Sequence, residues 1–168
     1  MGKILTIIAA LLMLLAAACN TSGCLDNGSA IPRAGFYASA DGSAVTLDSL
    51  EIGGVDAPAD SLVLKAGTAA SEVYLPMPPQ STSVQWAIAY RYRRLDSPAL
   101  NDTISMTYES IPYFASEECG AMYVYRLTGL RHTSHLIDSI TVADSLITNV
   151  DRTSLQIYFR IATEGDER

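Results

Sequence analysis

Three stretches of strictly alternating apolar and polar residues constrain this chain more than any other feature of its 168 residues. Trp86, Ile88, Tyr90 and Tyr92 alternate with Gln85, Ala87, Ala89, Arg91 and Arg93. Ile104, Met106 and Tyr108 alternate with Thr103, Ser105, Thr107 and Glu109, and Leu155, Ile157, Phe159 and Ile161 with Ser154, Gln156, Tyr158 and Arg160. Successive side chains of an extended strand point to opposite faces, so a period of two marks strands with one face buried.

Shorter runs of the same kind predict strands at Gly35 to Ala40, Val45 to Ile52, Leu62 to Lys65, Glu72 to Leu75, Ala121 to Leu127 and Ser139 to Ala143. Turn residues separate them at Ala40-Asp41-Gly42, Gly53-Gly54, Pro76 through Pro79, Asp96-Ser97-Pro98 and Thr148-Asn149-Val150-Asp151. After the first few dozen residues no segment keeps a helical period. Eight or nine short strands at this spacing predict an all-β fold, an antiparallel β-sandwich of immunoglobulin-like general layout, with a small β-barrel as the runner-up. Trp86 is the natural core aromatic, with Ile88, Tyr90, Met106 and Phe159 around it. Tyr90, Tyr92 and Tyr108 fall on the inward register of their strands, so packing accounts for them before any sugar-stacking platform does.

The N-terminus reads differently. Lys3 precedes an apolar run, Ile4 through Ala18, broken only by Thr6 and closed by Ala16-Ala17-Ala18 just before Cys19. That is the pattern of a cleaved signal peptide. A run of about 15 residues is shorter than the roughly 20 that a bilayer span needs. Small residues followed directly by cysteine resemble the lipobox of bacterial lipoproteins, although Leu15 stands one place further out than in the usual pattern. The resemblance implies that Cys19 is acylated, carries the palmitate-type anchor and becomes the new N-terminus. The chain then divides into a signal peptide at 1–18, a lipidated cysteine and irregular tether at 19–34, a β-sandwich domain at 35–163 and a short tail at 164–168. Loss of Lys3 with the leader takes the formal net charge from −7 to −8. A domain so acidic is a poor partner for nucleic acid.

Cys24 and Cys119 are the two other cysteines, and an even pair in an exported chain is expected to form a disulfide; two separate reduced thiols are the alternative. Closing a loop of 95 residues would restrict the unfolded chain by about 4 to 5 kcal/mol. Five residue steps from Cys19 reach at most about 18 Å, so a domain stapled at Cys24 would lie close to the membrane. The lipid cysteine, Cys24, Tyr113-Phe114 leading into Glu118-Cys119-Gly120, His135-Leu136-Ile137-Asp138-Ser139 and the strand Ile157-Tyr158-Phe159 together resemble a group of uncharacterised Bacteroidetes envelope lipoproteins. The resemblance implies an all-β envelope protein without an assigned activity, and it lends no catalytic residues. Surface-exported lipoproteins of Bacteroidetes resemble one another in carrying acidic residues soon after the lipid cysteine. Asn20-Thr21-Ser22-Gly23 has none, so the expected location is the periplasmic face of the outer membrane.

A tripeptide of Asp, Ser or Thr, and an aliphatic residue occurs at Asp48-Ser49-Leu50, Asp60-Ser61-Leu62, Asp102-Thr103-Ile104, Asp138-Ser139-Ile140 and Asp144-Ser145-Leu146. It resembles the acceptor motif for O-glycosylation in Bacteroidetes envelopes, which would place glycans on Ser49, Ser61, Thr103, Ser139 or Ser145. The competing reading is a turn closed by Asp and Ser on their own backbone before the next strand. Arg91 and Arg93, with Arg94 beside them, are a candidate anion patch on one strand face, weighed against outward arginines that serve solubility. His132, His135 and Asp138 would converge on a metal only from a helix, and the segment reads as extended, so no metal site is assigned. Glu117-Glu118 reads as a solvated turn. No nucleophile elbow, phosphate loop or cofactor motif is present, so the expectation is a non-enzymatic structural or binding module with an envelope protein or glycan partner. The alternative is a carbohydrate-binding or carbohydrate-active accessory lipoprotein, which a cleft with paired carboxylates would favour.

Overall fold

A computed structural model describes residues 30–57, 61–116 and 120–161. Ten strands occur among the described residues: β1 (Arg33–Ala38), β2 (Leu50–Gly54), β3 (Leu62–Leu64), β4 (Glu72–Tyr74), β5 (Ser83–Tyr90), β6 (Asp102–Ser116), β7 (Gly120–His132), β8 (Ile137–Val142), β9 (Leu146–Ile147) and β10 (Thr153–Phe159). They form a four-stranded sheet in the order β4-β1-β10-β8 and a six-stranded sheet in the order β3-β2-β5-β6-β7-β9. Each of the three alternating stretches supplies a strand, β5, β6 and β10, and turns its apolar set inward. Trp86, Ile88, Tyr90, Ile104, Met106, Tyr108, Leu155, Ile157 and Phe159 are all buried in one core between the sheets. The all-β sandwich expected from the alternation is therefore the fold.

It is not antiparallel throughout. β10 runs parallel to β1, with Phe36 opposite Ile157 and Ala38 opposite Phe159, while β4 and β8 flank them antiparallel. Parallel pairing puts the first and last strands side by side, which alternation cannot reveal because it carries no information about strand direction.

Three strand boundaries also differ, each for a local reason. Val45 and Leu47 alternate as expected but bond to different partners, Val45 N–H to the Phe36 carbonyl and Leu47 in a bridge with Ala70, so no ladder forms before Leu50. Gly53-Gly54 reads as a turn yet continues β2, pairing with Ala87 and Trp86. β5 stops at Tyr90, because a 3₁₀ turn at Arg93–Leu95 folds Leu95 back against the core. Tyr92 consequently leaves the inward register and is 59% exposed. Asp41-Gly42 is the expected turn: Gly42 has φ of +73°, and the Ser43 N–H donates to Asp41 Oδ1 at 2.9 Å.

The longest departure is the β6–β7 hairpin. Pro112 argues against a central strand, but beyond Thr107 no third strand flanks β6 among the described residues, so the proline interrupts no second ladder there. From Ile111 opposite Val124 to Ser116 opposite Gly120 the hairpin runs on as a two-stranded ribbon, with Phe114 68% exposed. Gly129 lies inside β7 rather than ending it. It faces Thr107 across a bulge, where an added Cβ would stand 2.6 Å from Thr107 Oγ1. Thr107 Oγ1 also accepts from the Thr128 hydroxyl at 3.2 Å, so it has little freedom to move aside. Gly129→Ala is expected to lower unfolding stability by about 1 to 3 kcal/mol in a urea titration, the usual range for overpacking; an unchanged midpoint would mean that Thr107 rotates away at no cost.

The registers give the sandwich two distinct ends. Ala30, buried ahead of β1, and Arg33, opposite Tyr74 and Thr153, lie at one end, together with the start of β10 and the end of β8. The ribbon projects from that same end, past the β7–β9 pairing at Tyr125 and Arg126. The other end holds the close of β5 and β10, the start of β2 and the loop from His132 to Ile137.

Candidate functional site

Asp102 opens β6 on the inward register shared by Ile104, Met106 and Tyr108, and it is fully buried. A carboxylate at such a position needs donors on every side, and it has five. Oδ1 accepts from the Thr133 hydroxyl at 2.6 Å and the His135 N–H at 2.9 Å. Oδ2 accepts from the Tyr90 hydroxyl at 2.7 Å, the Leu136 N–H at 2.8 Å and the Ile137 N–H at 2.9 Å. Burial alone would raise the Asp102 pKa, but the bonds from Thr133, His135, Ile137 and Tyr90 outweigh it and hold the group below its ordinary value. The Tyr90 hydroxyl moves the other way, raised first by burial and then by its bond to Asp102. An ionised acid with every lone-pair direction filled and a phenol that does not ionise make a clamp on the β7–β8 loop, not a proton-transfer pair.

The depressed pKa has a measurable sign. Unfolded Asp titrates near 3.9, so the contribution of Asp102 is fully present above that pH and is lost as pH falls toward the lower folded value. Unfolding free energy should fall steadily below about pH 4, and Asp102→Asn should flatten that part of the profile. An unaltered acid limb in the variant would exclude Asp102 as its source.

The clamp holds one wall of a pocket of about 610 Å³ at this end of the sandwich. Leu47 and Leu50, Tyr90 and Leu95, Leu136, Phe159 and Ile161 supply a mostly apolar lining, and Asp48, Ser49, Tyr92, Arg94 and Arg160 supply its polar edge. The volume lies in the range of small-molecule sites, and the mix of an apolar body with few polar groups is characteristic of them. Among the described residues Asp48 is the only carboxylate in the lining, and its Oδ1 accepts the Ser49 hydroxyl at 2.7 Å. Arg160 Nε donates to Asp138 at 3.1 Å, and its Nη1 donates to the Ser134 and His135 carbonyls at 2.6 and 3.2 Å.

The structure separates the candidate anion patch. Arg91 donates to Glu51 on β2 at 2.7 Å and to Asp96 at 3.0 Å, and these bonds, Glu51 first, raise its pKa further. Arg93 lies in the 3₁₀ turn, so the two arginines do not share a strand face. Arg94, not singled out beyond its neighbours, is the one of the three that reaches the pocket.

The Asp-Ser/Thr-aliphatic tripeptides fall in four different settings. Asp102 is the buried clamp, with Thr103 half-buried beside it. Asp144 Oδ1 accepts the Leu146 N–H at 2.9 Å, which is the turn-closing reading, and Asp144 also pairs with Arg152. Asp138 pairs with Arg160 from the edge strand β8, where Ser139 is exposed. Ser49 is half-buried at the pocket and bonded to Asp48, whereas Ser61 and Ser145 are exposed. Cys19, Cys24, Cys119, Asp60 and Glu117-Glu118 lie outside the described residues.

His132 Nδ1 lies 2.7 Å from the Thr133 carbonyl and His135 is exposed in the loop, with Asp138 on the strand beyond. Among the described residues no three His, Cys, Asp or Glu gather at one point, and no helix is long and apolar enough to cross a membrane. The sequence carries one sign of the clamp, outside any motif: Asp102 is a charged residue on the inward parity of an otherwise apolar face. The pocket had no such sign, because Leu95 and Leu136 come from segments without periodicity and the alternation at Leu47 points only to a strand.

Residues 49–159 match the profile of one protein family, described as a family of unknown function (DUF6452). No curated protein matches, and no solved structure matches.

Proposed function

We propose, from the premise that this chain belongs to the DUF6452 family of unknown function, that it is a lipid-anchored module of the cell envelope that binds and does not catalyse. The observation that carries the binding role is the pocket, which opens at the end of the sandwich opposite Ala30 and Arg33. A tether leading to an acylated Cys19 would present that opening away from the lipid surface. The leader, the small residues before Cys19 and the resemblance to Bacteroidetes envelope lipoproteins support the anchor and a periplasm-facing location. Supporting a Cys24–Cys119 disulfide is the topology: the ribbon that leads toward position 119 and the residues that lead back to position 24 share one end of the fold. Six steps back from Ala30 span at most about 21 Å, comparable to the roughly 17 Å by which the ribbon runs on past Tyr125.

A glycan-active role is less well supported, since among the described residues the lining offers Asp48 without a second carboxylate. For O-glycosylation, Ser61, Ser139 and Ser145 are the better candidates, being exposed, while Ser49 and Thr103 are half-buried. The decisive experiment is metabolic labelling with an alkynyl fatty acid. Wild-type protein should be labelled and sediment with membranes, and Cys19→Ala should be unlabelled and leave them. Retention of label in that variant would reject the anchor. Non-reducing mass analysis of the same material reads the disulfide and any glycan mass.

A further inference from the structure

We infer that the end pocket takes an amphipathic anion, an apolar body with one carboxylate-like head, oriented by Arg94; this rests on reading the pocket as a binding site. Among the described residues the arginines at 33, 91, 126, 152 and 160 form ion pairs with aspartate or glutamate. Arg93, Arg94 and Arg131 do not, and of these only Arg94 lines the pocket. In a chain with 18 acidic residues against 11 basic ones, a guanidinium left without a carboxylate at the edge of an apolar pocket is a site of charge complementarity. Arg160 adds a second cation to the same edge, already engaged with Asp138 and two carbonyls, so it shapes the edge and leaves recognition to Arg94. The apolar body has its place against Leu47, Leu50, Leu95, Leu136 and Phe159, where its burial supplies most of the affinity. Asp48 opposes an anion and so disfavours heads that lie on its side of the opening. A dianion such as a phosphate monoester is disfavoured for the same reason.

The test uses hexanoate and hexanol, which share an apolar body and differ in charge, added to the full acylated chain in detergent, with affinities taken from the concentration dependence of the unfolding midpoint. Hexanoate should bind about tenfold more tightly than hexanol. Arg94→Gln should abolish that preference while hexanol binding stays, and Asp48→Asn should widen it. Equal binding of both compounds, unaffected by Arg94→Gln, would overturn the anion inference and leave the pocket reading intact. Failure of both compounds to stabilise the wild-type chain would reject the pocket reading itself.

Discussion

Asp102→Ala should be the most damaging single substitution among the residues described, with a loss of about 3 to 5 kcal/mol, as for other buried charges removed from their partners. The alanine would leave the Thr133 and Tyr90 hydroxyls and the N–H groups of His135, Leu136 and Ile137 without their acceptor, the Tyr90 and Ile137 donors in buried positions and the others half-shielded. Each abandoned donor costs on the order of 1 to 3 kcal/mol, although the loop can swing outward and hydrate some of them, so the sum is not reached. In a domain of this size the loss corresponds to a fall in Tm of about 6 to 20 °C. Tyr90→Phe is the control. It removes one of five donors and leaves the carboxylate satisfied by four, so its effect should stay near 1 kcal/mol. A calorimetric loss below about 1 kcal/mol for Asp102→Ala would show that the clamp is dispensable.

Phe159→Ala should follow closely, at about 3 to 5 kcal/mol. The ring is 1% exposed, sits at the end of β10 and meets two others edge-on, Phe36 at 5.6 Å and Tyr90 at 6.4 Å. Its removal takes away a large apolar surface and leaves a cavity that Phe36 and Tyr90 cannot close together, because Tyr90 is held at its hydroxyl by Asp102. Phe159 also lines the pocket, so the variant should enlarge that space. Urea unfolding reads the stability. A loss near 1 kcal/mol would mean that the neighbouring strands collapse into the void.

What the sequence made legible is what alternation encodes. It identifies which residues of β5, β6 and β10 face inward, and the core formed by Trp86, Ile88, Tyr90, Met106 and Phe159 follows from that alone. Partnership was not legible. Val45 and Leu47 have the right parity but divide their bonds between Phe36 and Ala70. Nothing in the residues of β1 and β10 declares that they run side by side in the same direction. Pro112 and Gly129 are ordinarily breakers, and each is tolerated by a circumstance of the tertiary fold, a missing third strand in one case and a close Thr107 in the other. The candidate site was the least legible part. One of its walls is held in place by an aspartate that looked like the first letter of a surface tripeptide, and three of its lining leucines come from outside the strands. Arg91 and Arg93 drew attention by adjacency, yet acidic neighbours and a 3₁₀ turn leave the pocket to Arg94.

The parallel pairing of β1 with β10 sets a condition on how the fold is completed during synthesis. Translation delivers a chain from its amino end, so among the described strands β1 is available first and its longest hydrogen-bonded partner last. Until β10 arrives, among the described residues β1 has beside it only the three-residue β4 and the bridge from Tyr37 to Ala44, and one edge stays open to any extended segment nearby. Closure of the smaller sheet is thus a late, long-range event, and a chain that halts before Thr153 forfeits both its terminal strand and the ladder that its first strand was waiting for.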